Sequence, residues 1–130
     1  MSNNTSTHLS GDSAKTLLES LPNWGNLTTI IFQGGCVFEF KGSFPKGEEG
    51  SGFYNLSSGG QGFEGHINLD KIDRISFQDK EHRGRQSYAF VFEDGQGKCI
   101  FKVFLGRDES GELIESQVSQ FKTIQANLSL

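Results

Sequence analysis

Several things are scarce in this chain of 130 residues. Proline occurs twice, methionine and tryptophan once each. No apolar run approaches the ~20 residues that a membrane-spanning helix needs, so no membrane insertion is expected. Positive charge is also in deficit, since 12 Lys and Arg face 16 Asp and Glu for a net charge of −4. That balance argues against nonspecific binding to nucleic acid or to acidic membranes, both of which attract basic surfaces. The N-terminus has neither a basic segment nor an apolar one behind it, so no signal peptide is expected and the chain reads as cytoplasmic. Cysteine is limited to Cys36 and Cys99, which lack CxxC spacing and a zinc-like His partner. Both are expected to be reduced, buried thiols.

Catalytic signatures are missing too. There is no Gly-x-Ser-x-Gly elbow, no HExxH and no Cys-His-Asn grouping. The segment Gly60-Gln61-Gly62-Phe63-Glu64-Gly65 satisfies GxGxxG, but it runs into a strand pattern. A dinucleotide phosphate needs that loop to open a helix, so the match is rejected.

What remains is aromatic and glycine-rich. Twelve phenylalanines supply large, stiff core side chains and seventeen glycines supply tight turns. A single domain over 12–130 is expected, large enough to bury roughly two-thirds of its unfolded surface. Residues 1–11, rich in Ser, Thr and Asn, are expected to be a disordered tail. Asp12 or Ser13 can cap a short helix that Pro22 ends near Leu21. A strand to about Phe32, a Gly34-Gly35 turn and a strand from Cys36 to Phe44 read as a hairpin. Phe44 to Gly50 reads as a mobile loop, and Phe53 to Leu56 as a short strand. Ile72 to Gln78, Gln86 to Glu93 and Lys98 to Leu105 complete the strands. From about Gly111 to Asn127, Ile114, Val118, Phe121 and Ile124 recur at helical spacing.

The sum is α+β: an antiparallel sheet of about seven strands in hairpin order, with a short N-terminal and a long C-terminal helix. Both faces of the Tyr88–Phe92 strand are apolar, and one long helix covers only part of such a sheet. A second copy of the chain or a flat apolar ligand is expected to cover the rest.

One stretch carries chemistry. Phe63 to Leu69 alternates as a half-buried strand does, with Phe63, Gly65, Ile67 and Leu69 on one side and Glu64, His66 and Asn68 on the other. His66 is therefore held in mid-strand, where its imidazole can titrate near neutral pH or offer a lone pair to a metal. On pattern alone an exposed, solvated histidine is the favoured reading, by roughly three to one. His8 lies in the tail and His82 on the charged tip Lys80–Arg85.

Trp24-Gly25-Asn26-Leu27-Thr28-Thr29, the Gly52–Leu56 strand, Gly65-His66-Ile67, Lys102-Val103-Phe104-Leu105-Gly106-Arg107-Asp108 and Glu115–Phe121 change those odds. Together, over about residues 24 to 128, the chain resembles the HutX/ChuX family of cytosolic haem-utilisation proteins. The resemblance implies a homodimer of mixed sheets and helices, similar to one copy of the duplicated, two-lobed haem-degrading proteins. It implies a haem (iron protoporphyrin) carrier or buffer that passes its load to a haem-receiving enzyme, with His66 as axial ligand. Haem-degrading activity with an external reductant is an alternative, as is a dimeric interaction module that has lost haem. Phe32 stands where the family places a second strand histidine; it cannot ligate iron but can stack on a porphyrin. Arg74, Lys102, Arg107 and the loop residue Lys46 are the candidates to meet the propionates.

Overall fold

The structure, a computed structural model, describes residues 7–130. Among the described residues the chain forms nine strands and two α-helices. These are β1 (His8–Ser10), α1 (Ala14–Ser20), β2 (Asn26–Gln33), β3 (Cys36–Ser43), β4 (Lys46–Gly50), β5 (Phe53–Ser57), β6 (Gly65–Ile67), β7 (Arg74–His82), β8 (Arg85–Glu93), β9 (Cys99–Leu105) and α2 (Glu115–Asn127). None of these helices is long and apolar enough to cross a membrane.

The α+β class holds, but the strands are shared differently. Six form an antiparallel sheet ordered β1-β7-β8-β9-β2-β3, and three form a second sheet ordered β4-β5-β6. About seven strands in simple hairpin order were expected. β4 accounts for part of the difference: Lys46-Gly47-Glu48-Glu49-Gly50 has no apolar residue and reads as a loop. It becomes a strand because Gly47 lets the Tyr54 ring lie against its backbone, where a Cβ would come within 2.6 Å of the ring. An ion pair between Lys15 and Glu49, at 2.6 Å, joins β4 to α1.

The tail is the second correction. Residues 1–6 lie outside the described residues, but His8–Ser10 pairs with β7, with Leu9 opposite Ile75 and buried. One apolar side chain in a polar stretch was enough to seat the strand. Ser10, by accepting a bond from the Asp12 amide, caps the 3-10 turn that leads into α1, and Ser13 makes no capping bond.

The core lies on one face of the large sheet. Leu27, Thr29, Ile75, Phe90, Phe92, Phe101, Val103 and Leu105 point toward both helices and the small sheet. Phe121 of α2 packs on Phe77, Tyr88 and Phe90 with ring centroids 5.5, 5.3 and 4.9 Å away. Leu17 and Leu18 of α1, with Tyr54 and Leu56 of β5, close the remainder. The opposite face carries Ile30, Phe32, Val37, Val91, Lys102 and Phe104 in register, with Phe32 and Val37 exposed. The second face of the Tyr88–Phe92 strand was expected to be uncovered, but Ala89 and Val91 are buried, and the exposed apolar side chains lie instead toward the β2–β3 hairpin.

The β2–β3 hairpin turns through Gly34 and Gly35, at φ of 59° and 80°. Positive φ at both central positions is the type I′ geometry that matches strand twist. Cys36, just beyond it, is exposed rather than buried. Cys99 is half-buried, and that burial pushes its thiol pKa up.

Candidate functional site

The two sheets do not close on each other everywhere. Between them lies a cleft of about 490 Å³ walled by Ile31, Phe44, Leu56, Phe63, Ile67, Ile72, Ile100 and Phe101. Its polar groups are few: Thr29, Glu64, His66, Asn68, Lys71 and Asp94. Apolar walls with a handful of polar groups are the usual make-up of a small-molecule site.

His66 borders this cleft from β6, the edge strand of the small sheet. The strand is shorter than the sequence suggested, three residues rather than seven. Ile67 turns inward to the core, so the imidazole stands on the outer side, exposed, beside the Phe53 ring at 6.0 Å. Asn55 is its register partner on β5.

That pairing sets the imidazole's chemistry. The Asn55 amide nitrogen donates to the Gly50 carbonyl at 3.0 Å, which turns the amide oxygen toward His66 Nδ1, 2.7 Å away. An oxygen there can only accept, so Nδ1 carries the proton. In the neutral ring Nε2 then keeps its lone pair free. A metal-ligating histidine is commonly held in this way, with one nitrogen bound to an acceptor and the other left open.

The loop beneath is shaped by acceptors as well. Glu64 accepts from the amides of Ser58 and Gly60 at 3.2 and 2.7 Å, which folds the segment before β6 back on itself. Asp94 accepts from the amides of Lys98 and Gln96, and these bonds hold its carboxyl below the usual carboxylate range.

The other candidates lie elsewhere. Lys102 donates to Gln78 at 2.7 Å and stands 5.8 Å from the Phe32 ring centroid and 5.9 Å from that of Phe104. Phe32 and Lys102 are thus brought together, but on the open face of the large sheet. Arg107 donates to the carbonyls of Gln86 and Gly111 at 2.8 and 3.1 Å. It lines a second, more polar groove of about 500 Å³ with Thr28, Ile30, Lys41 and Phe104. Arg74 pairs with Glu93 at 2.8 Å, and Lys46 sits exposed on β4. Of the sequence candidates, only His66 is at the cleft. Sequence reasoning missed Asn55, Lys71 and most of the apolar wall. Asn55 sits outward between buried Tyr54 and Leu56, but nothing local says which residue it will face.

Fold and cleft together define a class: an α+β ligand-binding domain in which a small sheet caps a larger one around an apolar pocket, bordered by the strand that carries His66. A family model described as haem utilisation ChuX/HutX matches residues 7–124, and the chain belongs to that family. It is 45% identical over 115 residues to the intracellular heme transport protein HutX of Vibrio cholerae. The match covers 88% of this chain and 60% of that protein, so the chain spans about three-fifths of this relative's length. The heme binding protein ChuX, a solved structure, is 32% identical with a TM-score of 0.85, covering 95% of this chain and 78% of that one. A protein from Erwinia carotovora is 31% identical with a TM-score of 0.87, covering 95% and 76%.

Proposed function

We propose that this protein binds haem inside the cell and carries or buffers it, with His66 Nε2 as the axial ligand. The observation that carries the reading is the Gly50–Asn55–His66 relay. It fixes an imidazole tautomer with its lone pair free, on the outer face of the strand that borders an apolar cleft. Among the described residues no three His, Cys, Asp or Glu converge on one point, so no protein cage for a bare metal ion is formed. A lone imidazole beside an apolar slot suits a metal that brings its own planar ligands. The aromatic and aliphatic walls suit a porphyrin's faces, and Lys71 at the cleft offers a cation to a carboxylate. The family, and the names of the Vibrio and ChuX relatives, support the same cargo.

Two further parts belong to this reading. The chain acts in the cytoplasm as a homodimer, because Phe32, Val37, Phe38 and Phe40 are exposed on a protein of this size. It hands haem to a receiving enzyme rather than opening the ring itself.

Haem titration tests the reading. The Soret band saturates at one haem per chain, and His66→Ala removes that specific band. Protons compete with iron for the imidazole nitrogen, so affinity falls on acidification in the parent protein and not in the variant. An unchanged spectrum in His66→Ala places the ligand elsewhere.

A further inference from the structure

We propose that residues 58–64 form a lid over the inter-sheet cleft, held shut by the Glu64 carboxylate, and that cargo enters where the Phe63 ring now stands. The inference rests on the haem reading above and names the route and its gate.

Two cavities meet at one ring. The cleft between the sheets has a volume of about 490 Å³. Outside it, a groove of about 510 Å³ runs along residues 39–43, walled further by Pro45, Ser58, Gln61 and Gly62. Among the described residues, Phe63 alone lines both. Its ring stacks on Phe40, with centroids 4.6 Å apart and planes 19° from parallel, and meets Phe44 edge-on at 5.5 Å. Phe63 thus closes the cleft toward the groove, and moving that ring joins the two into one opening.

The chain around Phe63 has little else to hold it. The β5–β6 ladder stops at Leu56 and Gly65, so residues 58–64 lie outside it. Gly59, Gly60 and Gly62 take φ of 70°, 80° and 115°, and a Cβ on any of them would meet no atom within 4 Å. Glycines without close neighbours absorb a change of φ and ψ at little steric cost, as a hinge requires. The closed loop also leaves the Ser58 hydroxyl buried, with no hydrogen-bond partner among the described residues. A buried polar group without a bond disfavours the state that buries it.

Glu64 supplies the opposing hold. One carboxylate oxygen accepts from the Ser58 amide at 3.2 Å and from the Gly60 amide at 2.7 Å. Amide bonds to an ionised acceptor are stronger than those between neutral groups. The latch is exposed, so water competes for both bonds and the lid opens without disturbing the core. Opening breaks the two amide bonds and the stack on Phe40, while the strands of both sheets stay in place. Closure returns Phe63 to its stack and shuts the cleft from water.

Stopped-flow haem binding to the full-length chain tests the gate. Loosening a gate speeds entry and release together, whereas removing a wall contact speeds release alone. Glu64→Ala removes the latch and is expected to raise both rates roughly tenfold. Glu64→Gln keeps an acceptor oxygen without the charge and is expected to raise them by less. Phe40→Ala frees the Phe63 ring although Phe40 does not line the cleft, and it too is expected to raise both rates. Hydrogen exchange without haem reads the latch by itself: in Glu64→Ala the amides of Ser58 and Gly60 are expected to lose protection roughly tenfold. Unchanged exchange in Glu64→Ala overturns the latch. Faster exchange with unchanged entry, or with faster release alone, overturns the route while leaving the haem reading standing. A parental chain that takes up no haem overturns that reading and the route with it.

Discussion

Gln117 of α2 is the polar side chain on which the packing of the C-terminal helix depends. It is 2% exposed, and its carboxamide makes three bonds to backbone. The oxygen accepts from the Gly106 amide at 2.7 Å, and the nitrogen donates to the carbonyls of Trp24 and Asn26 at 2.9 and 2.8 Å. One side chain thus joins α2, the end of β9 and the entry to β2. Replacing it by Leu keeps the volume but strands one amide and two carbonyls. A buried group left unpaired costs about 1–3 kcal/mol. Carbonyls at element ends recover part of this by relaxing toward water, so the expected loss is about 3–5 kcal/mol. A domain of this size is stable by only about 5–15 kcal/mol, so the variant sits near unfolding at room temperature. Urea denaturation reads the loss as a lower midpoint at constant slope, a fall of about 2 M if the slope is near 2 kcal/mol/M. Gln117→Glu separates bonding from shape. It is isosteric, so packing alone predicts no change, whereas a carboxylate set against two carbonyls destabilises as much as Leu or more. Acid partly rescues Glu, because the protonated form regains one donor, and does nothing for Leu. A Leu variant that loses less than about 1 kcal/mol would refute the reasoning.

Two other outcomes follow from the geometry. Asn55→Leu removes the acceptor that fixes the His66 tautomer while leaving the imidazole in place; haem affinity in equilibrium titration is expected to fall ~10–100-fold, as loss of such an orienting partner ordinarily does, and Asn55→Asp to retain it. Gly106→Ala drives a methyl into the Asn26 carbonyl, whose oxygen lies where the new Cβ must go, and is expected to destabilise by about 1–3 kcal/mol in a thermal melt.

Residue periodicity determined a good deal here without help. Alternation marked the inward set of β9, Phe101, Val103 and Leu105, because a strand's two faces are set by its own dihedrals. Leu17 and Leu18, and Phe121 and Ile124, declared the apolar sides of two helices for the same local reason. The His66 alternation put an imidazole on a strand, whereas the apolar second face of the Tyr88–Phe92 strand, expected to be bare, is buried at Ala89 and Val91. Tertiary structure decided the rest, since pairing partners distant in sequence are not written in either strand alone. β4 exists only because Gly47 accommodates Tyr54, and β1 only because Leu9 finds Ile75. The cleft arises from the gap between two sheets whose separation no segment encodes. The same holds at the site. Phe32 and Arg107 look like natural neighbours of His66 in a list of candidates, yet they belong to the other face of the large sheet and its rim. Asn55 looks unremarkable in sequence, and the register of β5 against β6 is what sets its oxygen against the ring of His66 and leaves Nε2 free.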